Sequence, residues 1–152
     1  MAELRQRALA CLARREYSRA ELRDRLRPLA EDEAAVDGVL DRLESERLLS
    51  DQRYASQRVT ARATRYGDGR LRQELRQRGV SDADIATALP AAGDEIDRCR
   101  ALWQKKFGVL PEAPAERAKQ LRFLQYRGFS SSAIQAVLRY GEKYAEEYGE
   151  EA

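Results

Sequence analysis

Arginines between residues 53 and 78 are the groups in this chain best suited to do chemistry on a partner. Eight of them, Arg53, Arg58, Arg62, Arg65, Arg70, Arg72, Arg76 and Arg78, stand there against only Asp68 and Glu74. A guanidinium is planar, permanently charged, able to fork onto phosphate or carboxylate, and able to stack on aromatic rings. Solvated helix faces usually alternate charge signs to gain i,i+4 pairs, so an uncompensated run costs self-repulsion and favours binding of something anionic. At helical spacing, Tyr54, Arg58, Arg62 and Arg65 form one stripe, an aromatic ring leading a line of guanidiniums. Such a stripe suits phosphates, nucleobases or a partner's carboxylates. Ala55, Val59, Ala63 and Tyr66 form the inner face of the same segment. On the next helix Leu71 and Leu75 point inward, leaving Arg72 and Arg76 one turn apart on one flank and Arg70 on the other.

Other chemistries find no support. The chain has no histidine, its carboxylates are scattered over helix surfaces, and Cys11 and Cys99 lack metal-ligand spacing. No catalytic group, cofactor or metal is expected, and both thiols read as reduced packing residues. The glycines of GDG, residues 67–69, resemble a phosphate cradle but lack the preceding strand and the Lys-Ser/Thr that complete one. A turn between helices is the better reading. No apolar run approaches the roughly 20 residues of a membrane span, and the N-terminus lacks a signal-peptide core. A soluble, cytoplasmic, monomeric protein away from membranes is expected.

The elements that position the arginines follow from composition and periodicity. Charged residues make up 36% of the chain against a usual share of about 25%, with Ala, Glu, Leu and Arg abundant, which predicts an all-α protein. Shifting the sequence by 49 residues superposes LRQRGVSDADIATAL, 75–89, on LQYRGFSSSAIQAVL, 124–138, and the apolar frame recurs as Leu26/Val36/Leu40, Leu75/Ile85/Leu89 and Leu124/Ile134/Leu138. Ser18 and Glu21 form a capping-box signature near the start of one helix, while Gly79 and Gly128 end helices and Ser81 and Ser130 start the next. The expected architecture is three tandem three-helix repeats, 1–49, 50–92 and 93–152, in an elongated array. The middle repeat is basic. The last begins with a helix between Gly93 and Gly108 and ends in an acidic tail from Glu142. Trp103 reads as core, and Tyr140, Tyr144 and Tyr148 as a stripe packing on the third repeat.

The middle repeat resembles the RecX family, regulators of the recombinase RecA. Asp51 with Arg53, Tyr54 and Ala55, then Val59 and Arg62, then Gly69, Arg70, Leu71, Arg72, Glu74 and Leu75, and finally Arg78, Gly79 and Val80 carry the resemblance. ALACLARREYSRAELRDRL in the first repeat and FLQYRGFSSSAIQAVL in the third are similar to their family counterparts. The resemblance implies that the three-helix repeats form a curved array. It also implies non-catalytic binding of the RecA nucleoprotein filament, with inhibition of ATP hydrolysis, strand exchange and coprotease action, hence a role in homologous recombination, DNA repair and the SOS response. Arg58 departs from the family's usual aromatic residue and leaves open whether Tyr54 packs inward or faces a partner. A second reading uses the same arginines for stand-alone binding of single- or double-stranded DNA.

Overall fold

A computed structural model describes the backbone of residues 2–148 and the side chains of residues 2–139, so the Tyr140, Tyr144 and Tyr148 side chains and the acidic tail's lie outside the described residues. Among the described residues the chain is all-α: α1 (Ala2–Arg14), α2 (Arg19–Leu26), α3 (Glu33–Ser45), α4 (Asp51–Arg62), α5 (Asp68–Gln77), α6 (Asp82–Ala88), α7 (Glu95–Lys106), α8 (Pro114–Tyr126) and α9 (Ser131–Tyr148). They fall into three tandem groups of three. Short 3-10 turns follow α2 at Arg27–Leu29 and α6 at Leu89–Ala92.

Local sequence explains the boundaries. Ser18 Oγ accepts from the Glu21 N–H at 3.1 Å and Glu21 returns the bond to the Ser18 N–H at 3.1 Å, the reciprocal box that starts α2. Asp32 and Asp94 cap α3 and α7 in the same one-sided way, accepting from Ala35 and Asp97. At the end of α5, Gly79 takes φ 80° and at the end of α8 Gly128 takes φ 89°. Each lets the following N–H reach back five residues, Val80 to the Leu75 carbonyl at 3.0 Å and Phe129 to the Leu124 carbonyl at 3.2 Å. A side chain at either position would strain this left-handed closure. Ser81 and Ser130 then accept from Asp84 and Ala133.

The helices pack as two compact units, residues 1–59 with 74–88, and residues 60–73 with 89–152. Both α4 and α5 therefore contribute to each. In the first, Leu4, Ala8, Leu22, Leu26, Val36, Leu40 and Leu43 make a continuous core among α1, α2 and α3. In the second, Cys99, Trp103, Leu124, Phe129, Ile134 and Leu138 do the same for α7, α8 and α9. One position breaks the repeated apolar frame. Where repeats one and two have Leu22 and Leu71, the third has Gln120, 1% exposed. Its side chain accepts from Trp103 Nε1 at 2.8 Å and donates to the Val109 carbonyl at 3.0 Å, so the polar group is satisfied and ties the 108–113 loop to α8.

Candidate functional site

Each unit contains a joint in which the start of a repeat's second helix meets the helix corner of the next repeat. In the first unit Ser18 Oγ donates to the Arg78 carbonyl at 2.8 Å, and the bare Cα of Gly79 lies against Ala20. Glu21 accepts from Arg78 at 3.4 Å and Arg15 at 3.3 Å, and Asp51 accepts from the Arg19 N–H at 2.7 Å. Burial alone would push the Glu21 carboxyl up, but the Ser18 N–H, Arg15 and Arg78 together hold it below the usual glutamate range. Burial pushes the Asp51 carboxyl up, with Asp84 and Glu44 adding to it against the Arg19 N–H.

The second unit repeats this joint 49 residues later. Gly67 donates to the Arg127 carbonyl at 2.9 Å and Gly69 to the Gly128 carbonyl at 3.1 Å. A Cβ on Gly67 would lie 2.5 Å from the Gly128 oxygen and the Phe129 backbone, and one on Gly128 would lie 2.6 Å from the Arg70 nitrogen. Gly67 thus lies just before α5 and Gly69 in the first turn of α5, both at close approach to the Gly128 backbone; of the two segments, only Gly128 needs a positive φ. Glu95 secures the joint by accepting from the Asp68 N–H at 2.8 Å and from Ser130 Oγ at 2.7 Å. Arg98, only 9% exposed, donates to the carbonyls of Ala63, Tyr66 and Gly93 and to the Asp68 carboxylate, all at 3.0–3.1 Å. It closes the end of α4 and fixes the loop that leads to α5.

The two joints differ in charge. Position 21 becomes Arg70 under the shift, so an arginine stands where the first joint has its glutamate. Tyr17 becomes Tyr66, whose ring has the guanidiniums of Arg62 at 4.5 Å, Arg70 at 4.7 Å and Arg127 at 5.4 Å from its centre. Arg70 also stands 5.6 Å from the ring of Tyr126, which is 76% exposed, and Arg127 stands 5.1 Å from Phe123. Arg127 and Arg65 meet no carboxylate among the described residues; Arg127 Nη1 instead donates to the Arg65 carbonyl at 3.5 Å. Aromatic faces hold Arg62, Arg70 and Arg127 in place.

The expected site residues separate accordingly. Arg62 and Arg70 come together on the Tyr66 ring, whereas Arg65 lies in the turn after α4 and not on the helical stripe that the sequence spacing suggests, because α4 ends at Arg62. Arg72, on α5, is half-buried and without a charged partner among the described residues. Arg76 pairs with Asp82 at 2.9 Å in the first unit. Tyr54 is buried, 3% exposed, so its ring is turned inward and is not offered to a partner. Burial and the nearby Glu21 carboxylate hold its hydroxyl above the ordinary tyrosine range. Arg58, one turn on, is half-buried with its Nε unpartnered. Tyr66 departs from the inner face expected of it and is half-buried under the guanidiniums. Tyr126, Arg127 and Arg98 were not among the candidates; extending the 49-residue shift to positions 17, 21 and 78 points to Tyr66, Arg70 and Arg127, while Tyr126 matches Gln77 and Arg98 matches Leu49, and neither has such a signal.

Three tandem three-helix repeats with a joint of arginines on aromatic rings define a helical-repeat protein. The comparisons make the assignment specific. Models of the first, second and third three-helix domains of RecX match residues 5–43, 50–89 and 93–138. Regulatory protein RecX of Chromobacterium violaceum is 44% identical over 138 residues, spanning 91% of this chain and 90% of the relative. That of Ectopseudomonas mendocina is 45% identical over 139 residues, spanning 90% and 93%. The crystal structure of RecX from Lactobacillus salivarius superposes with a TM-score of 0.81 at 20% identity, covering 93% of this chain and 96% of that one. The chain belongs to the RecX family of regulatory proteins.

Proposed function

We propose that the protein is a non-catalytic regulator that binds the RecA nucleoprotein filament in the cytoplasm and restrains its ATPase, strand-exchange and coprotease activities, acting in recombinational repair and the SOS response. Family membership supports the partner, and the second joint supports the surface. The carrying observation is the replacement of Glu21 by Arg70, beside that of Ser18 by Gly67, in a joint whose tyrosine and Arg-Gly corner are repeated. A joint needed only for folding gains from the capping-box glutamate. Forgoing it to set Arg62, Arg70 and Arg127 on the Tyr66 ring, with Arg70 also beside Tyr126, favours an anionic partner.

The test is the single-stranded-DNA-dependent ATPase of RecA with increasing protein. Inhibition at micromolar protein is expected, and its absence together with no filament binding overturns the proposal. The stand-alone DNA-binding reading rests on the same arginines. It requires strong affinity for bare DNA that falls steeply with salt as counterions are released. A filament-directed protein inhibits at salt concentrations where its binding to bare DNA has already been lost.

A further inference from the structure

The first repeat carries a groove that shares only Tyr17 with the joint. Cys11, Tyr17, Leu26 and Leu29 form its apolar floor, and Arg7, Arg14 and Arg25 stand around it, enclosing about 190 Å³ with no carboxylate in the lining. Leu29 is 51% exposed, a large apolar side chain left facing solvent at the groove's edge. Arg25 donates to the Tyr17 hydroxyl at 3.4 Å. Arg7 and Arg14 meet no carboxylate among the described residues, although Arg5, Arg19, Arg23, Arg27 and Arg42 of the same repeat all do.

Size and charge together select the occupant. The volume is below the roughly 300 Å³ at which small-molecule sites begin, but it accommodates the tip of one large apolar side chain. Seven residues separate Arg7 from Arg14, two turns on one face of α1 and about 10 Å along its axis. A nucleic-acid backbone would leave the apolar floor and Leu29 without a partner, since its contacts are to phosphate and sugar. We propose that this groove docks an acidic amphipathic helix of a partner protein, with one apolar side chain entering the floor and carboxylates two turns apart meeting Arg7 and Arg14. Helix-in-groove recognition supplies the anchor, and the complementary charge sets orientation. The proposal does not depend on the recombinase reading.

The probe is a fluorescein-labelled peptide of about 15 residues, long enough to hold helix, with leucines at i, i+3 and i+7 and glutamates flanking them. Anisotropy is measured against the full chain. Micromolar binding is expected, weakened at least about tenfold, or 1.4 kcal/mol, in the double variant Arg7→Glu with Arg14→Glu and also in Leu29→Asp. All three positions are exposed, and unchanged circular dichroism verifies that the variants fold. No binding to the wild-type chain, equal binding of a peptide with the same composition but scrambled order, or unchanged binding to the double variant would each overturn the proposal. So would a single-stranded oligonucleotide that binds in place of the peptide and is the ligand the double variant loses.

Discussion

The two joints of this protein are the same construction with different charged groups. Tyr17, Ser18, Glu21, Arg78 and Gly79 in the first unit correspond, 49 residues on, to Tyr66, Gly67, Arg70, Arg127 and Gly128 in the second. In the first, Arg78 ends on Glu21 and Arg53 on Glu16, the latter at 2.7 Å. Arg19 likewise reaches Asp41 at 2.8 Å. In the second, the matching arginine ends on Tyr66 and Phe123. Arginines surround both joints, and in the first Arg15 also lies over the Tyr17 ring at 3.6 Å while reaching Glu21. What distinguishes the joints is the end point of the matching arginine: a carboxylate neutralises Arg78 within the fold, whereas rings hold Arg127.

The contrast can be broken most severely at Arg98. Arg98→Met would leave the Ala63, Tyr66 and Gly93 carbonyls and Asp68 without their donor, and a loss of about 3 kcal/mol in urea unfolding is expected. Arg23→Met, which removes a half-exposed pair with Asp37, should cost under about 1 kcal/mol. Similar losses for the two would erase the distinction between a buried clasp and surface pairing.

Next in size are the corner glycines. Gly128→Ala combines a strained φ with overlap against the Arg70 backbone and should cost about 3 kcal/mol. Gly79→Ala meets chiefly the Ala20 side chain and should cost less. Gly38→Ala, in open space within α3, should stabilise by about 0.5–1 kcal/mol and calibrates the series. Thermal and urea midpoints measure all three.

Acid should separate the joints as well. The folded-state pKa of Glu21 is depressed, so its contribution is present above the unfolded value, 4.5, and is lost as pH falls through the folded one. An arginine, Arg70, occupies the matching place and contributes no carboxylate there, so the Glu21-dependent fall in amide protection around residues 18–21 on acidification has no counterpart at position 70. Replacing Glu21 by Gln should remove most of that difference. The smallest effect concerns the thiols. Burial, with Glu95 adding, pushes Cys99 up to about 12, which leaves it as an unreactive thiol at neutral pH, whereas Cys11 is half-buried beside the groove. Iodoacetamide should therefore modify Cys11 while Cys99 remains protected until unfolding.

Much of this was legible in the sequence, for identifiable reasons. The apolar frame of the first and third repeats, the Ser18/Glu21 box and the left-handed Gly79 and Gly128 are local consequences of residue type, and the structure shows them. In the middle repeat Leu75 and Ile85 are buried, while Leu89 is only half-buried in a 3-10 turn. The arginine run indicated a charged surface but not its organisation, because a guanidinium's end point depends on tertiary neighbours. Tyr54 and Tyr66 illustrate this. Both are tyrosines on the same segment, yet one is enclosed near Glu21 and the other lies beneath three arginines. Gly67 is a further case: its role is set by the Gly128 and Phe129 backbone, more than sixty residues distant in sequence.

Arg70→Glu tests the central claim most directly, because it gives the second joint the acid that the first joint has and should retain the fold. The thermal midpoint should hold or rise slightly, and the protein concentration needed to inhibit the DNA-dependent ATPase of RecA should rise at least about tenfold, equivalent to 1.4 kcal/mol. A folded Arg70→Glu protein that inhibits as well as the wild type would contradict the assignment of the second joint as the binding surface.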